Sequence, residues 1–224
     1  MQKKYAYRNV IFLMLVALLP VALAACADAA TEEVAVAEVL LETDFDGRDG
    51  CPEKLDVEAG TAVQLNDDGC ELRSASDTYV WNLAEGVYED VELETAVRQL
   101  SREPNNAYGL VCRASSRDSR SGYYFLISGD GLVSIRRKER GDSSPIVDWR
   151  PNNAVRQGER ANRLRAICAG NYLALYVNNQ LAAEGTDDHF TQGLAGVAAS
   201  GSEDGSVQVS FENFTIRAAE IDRR

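Results

Sequence analysis

Between residues 39 and 218 apolar side chains recur at every second position in short runs, and no useful length carries the 3.6-residue repeat of an amphipathic helix. The period of two belongs to half-buried β-strands, whose successive side chains point to opposite faces. Fourteen strands are expected, opening with Val39–Phe45, passing through Thr78–Asn82 and Ile146–Trp149, and closing with Val207–Arg217. The joints between them carry residues that tolerate positive φ, as in Gly129-Asp130-Gly131, Gly170-Asn171 and Asn178-Asn179. So many short strands at this spacing describe an all-β sandwich or barrel. No repeat or linker interrupts 39–218, so it reads as one domain, with 219–224 as a tail.

The alternation also sorts the faces. Tyr108, Leu110 and Cys112 share one side of YGLVCR, with Val111 and Arg113 on the other. In the next two strands Phe125, Ile127 and Ile135 fall with Cys112, while Tyr124, Arg136 and Lys138 fall with Arg113. The first set is the expected core. Leu173, Leu175 and Val177 are expected to meet it from a second sheet, with Cys168 near enough to bridge.

The chain opens MQKKYAYRNVIFLMLVALLPVALAAC, a basic start followed by an apolar run that ends in small residues. Leu23-Ala24-Ala25-Cys26 resembles the lipobox of bacterial lipoproteins. That resemblance implies a signal peptide over 1–25 and a Cys26 that takes a diacylglyceryl group, with two or three acyl chains giving a stable anchor. Residues 26–38 then read as the lipidated Cys and a short acidic tether. The expected place is the cell membrane or outer membrane, on the extracytoplasmic side, with the membrane contacted through the lipid anchor only.

With Cys26 assigned to lipid, four cysteines remain, an even number in an oxidising compartment. Three pairings are open. Cys51–Cys70, closing a local loop, and Cys112–Cys168, joining distant strands, are favoured. A four-thiolate zinc site is the alternative, but no CxxC spacing supports it.

NAYGLVCR, SGYYFLISGDGLVSIRR, IVDW, NRLRAICAGNYLALYVNNQLAAE, AGVAASG and VSFENFTIR follow one another in that order. Together they resemble the concanavalin A-like lectin/glucanase superfamily, especially its bacterial laminin-G-like and 3-keto-disaccharide hydrolase type domains. The resemblance covers roughly residues 39–218, opening with ETDFDG. It implies a curved jelly-roll sandwich of two antiparallel sheets, whose members often bind glycans on the concave face or rim. It is a pattern of strands and turns, so it speaks to fold more than to activity.

The candidates for chemistry are few. A glycosidase needs two carboxylates flanking the scissile bond, and the ExDxxE or ExDxE strand motif of this fold's glucanases does not occur here. Glu92 and Glu94 share one strand face and are the nearest pair, although alternating carboxylates also suit a solvated outer face. Asp148 reads as a turn residue, and His189 as a surface-turn histidine with no nucleophile beside it. No cofactor is expected. Asp44, Asp46 and Asp49 in DFDGRDG faintly suggest a structural Ca²⁺ loop, but its spacing and the missing bidentate Glu depart from the pattern.

Charge placement is more informative than the total. The formal charge of −12 becomes −15 once the signal's three basic residues are removed. That balance argues against nucleic acid, which needs clustered Lys and Arg. Yet residues 113–165 hold 12 basic and 6 acidic residues, and eleven of the twelve are Arg. Arg suits bidentate recognition of carboxylate or sulfate. Arg113, Arg136 and Lys138 with Tyr124 between them are therefore the expected ligand-binding face, for a glycan or an acidic cell-envelope polymer. The competing expectation is that these cations pair with the acidic first third of the chain. Trp81 and Trp149 are expected in the core rather than as a platform. The preferred function is a noncatalytic binding module; a hydrolase of disaccharides or polysaccharides and a protein–protein adhesion module are the alternatives.

Overall fold

The computed structural model describes residues 34–45, 50–115, 121–203 and 205–221. In chain order its strands begin with β1 (Val34–Thr43), β2 (Lys54–Asp56), β3 (Thr61–Asn66), β4 (Gly69–Ser74) and β5 (Val80–Leu83). Next come β6 (Val91–Gln99), β7 (Ala107–Ala114), β8 (Gly122–Ile127), β9 (Leu132–Glu139) and β10 (Asp142–Pro151). The remainder are β11 (Asn162–Ala169), β12 (Tyr172–Val177), β13 (Gln180–Thr186), β14 (Leu194–Ser200), β15 (Val207–Phe211) and β16 (Phe214–Ile221). There is no helix among the described residues.

The strands form two antiparallel sheets. The smaller runs β10-β9-β8-β7-β14-β5, and the larger runs β13-β12-β11-β6-β15-β4-β3-β2, with β16 also beside β6 and β1 beside β16. The turns explain the hairpins. Asn178 and Asn179 have φ of 51° and 67°, and Arg140 and Gly141 have 52° and 103°, the paired positive values a tight two-residue hairpin needs. The second of these turns was not expected. It starts β10 at Asp142, well ahead of the anticipated Ile146, and it places Asp148 inside a strand rather than in a turn.

Two further differences concern the ends. β1 begins at Val34, five residues before the anticipated strand, so residues 34–38 are strand rather than tether. The reason is pairing: Val34, Ala35 and Val36 lie opposite Ile221, Glu220 and Ala219 of β16, which itself runs past 218.

The inner faces are those the alternation assigned. Leu110, Cys112, Phe125, Ile127 and Ile135 of the smaller sheet meet Leu173, Leu175, Val177, Leu164 and Leu93 of the larger, all fully buried. Each such side chain contributes about 1.5–3 kcal/mol relative to exposure. Two disulfides staple this core. Cys112 on β7 is joined to Cys168 on β11 across the sheets, with Cα atoms 6.7 Å apart. Cys51 is joined to Cys70 on β4, with Cα atoms 5.5 Å apart.

Candidate functional site

The outer face of the smaller sheet is the structure's distinctive surface. Its register lines up small residues between large ones. Trp81 on β5 lies opposite Ala198 on β14, and Ala198 opposite Gly109 on β7. A side chain at Gly109 has no room, since a Cβ there would sit 2.0 Å from the Phe125 carbonyl oxygen. With strands about 4.8 Å apart, β5 and β8 are separated by roughly 14 Å. That row ends at Leu126 on β8, and Tyr124 stands two residues along, opposite Val111, so two large rings reaching diagonally toward each other can close the gap. They do: the Trp81 indole Nε1 donates to the Tyr124 hydroxyl at 2.7 Å.

Tyr79, just before β5, completes the cluster. Its ring stands edge-on to Tyr124 with centroids 5.4 Å apart, and stacks loosely on Trp81 at 6.2 Å. Burial pushes the Tyr79 hydroxyl up to about 12, partly opposed by the Arg136 charge. The Lys138 ammonium sits 3.5 Å from the Tyr79 ring centroid and 5.4 Å from that of Tyr124. Such cation–π contacts are worth about 0.5–2 kcal/mol. On the neighbouring edge strand Trp149 packs half-buried against the same apolar patch.

Beside these rings a trough of about 650 Å³ crosses the end of the sheet, lined by Asp77, Tyr79, Asn105, Arg136, Trp149 and Glu203 among others. Arg136 donates from Nε to the Ser143 hydroxyl at 2.7 Å and from Nη1 to Asp148 Oδ1 at 3.3 Å. The carboxylates of Asp77 and Glu203 and the side-chain amide of Asn105 have no hydrogen-bond or ion-pair partner among the described residues. A half-buried indole beside free acceptors and amide donors is chemistry that suits a polyhydroxylated ring.

Of the four residues expected to bind ligand, Tyr124, Arg136 and Lys138 share the outer face, but Tyr124 is 1% and Lys138 5% exposed, so neither presents the open ring or cation that was expected. Arg113 is elsewhere. β7 carries an extra residue against β14 between Val111 and Ala114, and Arg113 adopts φ of 51°. This bulge breaks the alternation and turns the side chain into the end of the sandwich. Arg113 is 1% exposed. Its guanidinium donates to the carbonyls of Glu89, Gly170 and Phe190 and to Asp90 Oδ1, at 2.8–3.0 Å. It ties three loops together and offers nothing to a ligand.

Glu92 and Glu94 lie on the outer face of the larger sheet, away from the trough. Glu92 is gripped by Arg165 at 2.8 Å and Arg217 at 3.4 Å, and Glu94 by Arg163 at 2.6 Å. Part of the basic segment therefore neutralises acidic strands internally. Asp44 is exposed, and Asp46 and Asp49 lie outside the described residues, as does Cys26. Among the described residues no group of three or more His, Cys, Asp or Glu side chains is placed to hold a metal. The His189 side chain is 41% exposed, 3.5 Å from Glu139. Its loop is latched by Asp187, which accepts from the Tyr123 hydroxyl at 2.6 Å and from Arg137 at 2.7 Å.

Sequence reasoning missed Tyr79, Trp81 and Trp149 as surface residues, and Asp77, Asn105 and Glu203 altogether. A usable signal was present in TYVWNL: Tyr79, Trp81 and Leu83 share one parity, and Val80 and Asn82 the other.

No family model and no curated protein sequence matches the chain. Solved structures do. A carbohydrate-binding module (CBM66) from Bacillus subtilis superposes with a TM-score of 0.62 at 19% identity, covering 75% of this chain and 96% of its own. A Bacillus subtilis protein of unknown function with a galectin-like fold gives 0.62 at 11% identity, over 85% of this chain and 100% of its own. A Bacillus licheniformis β-glucanase gives 0.55 at 12% identity, over 80% and 97%. At these identities the likeness establishes the fold alone: a two-sheet antiparallel jelly-roll sandwich.

Proposed function

We propose that this chain is a noncatalytic glycan-binding module, carried on the extracytoplasmic side of a membrane by acyl chains on Cys26. The aromatic trough of Tyr79, Trp149 and Arg136 carries the reading, because it joins stacking surface to polar groups in one concave site. That a carbohydrate-binding module and a β-glucanase share the fold supports a carbohydrate ligand. The hydrolase alternative draws nothing from Glu92 and Glu94, which lie on the larger sheet, away from the trough, with their oxygens held by arginines of the neighbouring strand. The case for an acidic polymer is weakened by the burial of Arg113.

The test is retention of the purified full chain on a panel of immobilised polysaccharides, with released sugar assayed in parallel. Retention without release is expected. Release that disappears in Glu92→Gln or Glu94→Gln would establish the hydrolase instead, and binding to proteins but no glycan would establish the adhesion module. The anchor is tested separately: a labelled fatty acid incorporated in a bacterial host should be lost in Cys26→Ala.

A further inference from the structure

We infer that the trough takes a neutral glycan and excludes anionic ones, with Asp77 and Glu203 accepting hydrogen bonds from sugar hydroxyls while the ring stacks on Trp149. This rests on the glycan-binding reading and narrows its ligand class. An anion receptor needs a cation open to the ligand, and both remaining cations of the face are engaged. Lys138 is 5% exposed and lies against the Tyr79 ring. The Arg136 side chain is 16% exposed and already bound to Asp148.

The rim is acidic instead. Asp77 and Glu203 line the trough together with Arg136, whose charge is already paired with Asp148, on a chain of formal charge −12. A uronate or sulfate entering there meets like charge at close range. A sugar hydroxyl meets the opposite situation. It donates to an ionised carboxylate, a hydrogen bond about twice as strong as a neutral one. Asp77 and Glu203 are exposed and without protein partners among the described residues, so no internal bond must break first. The Asn105 amide supplies the complementary donor.

The experiment measures retention of the full chain on immobilised neutral polysaccharides (β-glucan, xylan, fructan, dextran) and on polygalacturonate, at 20 and 500 mM NaCl. Retention on at least one neutral polymer is expected, changing less than twofold with salt. It should fall at least tenfold in Asp77→Asn/Glu203→Gln and in Trp149→Ala, with unchanged thermal midpoints for the exposed carboxylate variant. Salt-sensitive retention on polygalacturonate alone overturns the neutral class while leaving glycan binding intact. Retention on neither overturns glycan binding itself. Neutral retention that Asp77→Asn/Glu203→Gln leaves unchanged overturns the assigned contacts.

Discussion

The Trp81 indole on β5 donates 2.7 Å to the Tyr124 hydroxyl on β8, diagonally across two intervening strands that present Ala198 and Gly109 in line with Trp81 and Val111 opposite Tyr124. Ala198 and Gly109 leave room above the sheet for the two rings to meet. Rings held in this way are rigid before any ligand arrives, which lowers the entropy that binding must overcome.

Tyr124→Phe keeps the ring and removes the acceptor. It is expected to cost about 1 kcal/mol of stability, the usual net worth of such a bond. Urea denaturation measures this, and a variant as stable as the parent would show that the bridge does not organise the face.

Ala198→Leu places bulk beneath the Trp81–Tyr124 bridge, where Ala198 is fully buried. Overpacking of this kind costs about 1–3 kcal/mol. Glycan retention should fall with it, because the aromatic rings must move; near-ultraviolet circular dichroism reports their displacement.

Arg113→Met leaves three carbonyls and Asp90 without their guanidinium. Asp90 is 44% exposed, so the loss falls mainly on the carbonyls left without their donor, about 1–3 kcal/mol. Measured well below the unfolding midpoint, glycan retention should match the parent, which separates a loop clamp from a ligand contact. A loss of retention without a loss of stability would return Arg113 to the binding face.

The two disulfides close stretches with sequence separations of 19 and 56. The chain-entropy relation assigns them about 3 and about 4 kcal/mol. Replacing Cys112 and Cys168 by Ala should therefore lower stability more than replacing Cys51 and Cys70, as read from urea midpoints of the two double variants.

Asp187 supplies a pH dependence. Burial pushes its carboxyl up, but the Tyr123 hydroxyl, the His189 backbone N–H and the Arg137 charge outweigh this and hold it below the usual range. A carboxyl lowered in the folded state contributes stability that is complete above its unfolded value, about 4, and is lost as pH falls through the folded value. The parent should therefore lose more of its thermal midpoint between pH 5 and about pH 2 than Asp187→Asn does. Parallel curves for the two proteins would remove Asp187 from the acid response.

The period-two pattern was sufficient to read the sandwich and its inner face, because each depends on side-chain parity within one strand. Cys112 and Phe125 needed no partner to be placed inside. Tyr124, Arg136 and Lys138 were likewise assigned to the right face. Arg113 was misplaced because a bulge of one residue resets parity, and nothing in YGLVCR announces it.

The amino-acid sequence by itself determined which residues alternate, where tight turns form and which side of each strand is greasy, since these are local consequences of backbone geometry. Only the tertiary structure decided what each outer face meets. That Trp81 reaches across β14 and β7 to Tyr124 depends on which strands lie side by side, with β14 carried in from more than a hundred residues downstream of β5 to separate it from β7. Non-local pairing also sent the arginines to different fates: Arg165 to Glu92, Arg113 to three loops, and Arg136 to the rim of the trough. Their charges were visible along the chain, but their electrostatic roles were set by neighbours that folding brings within a few ångströms.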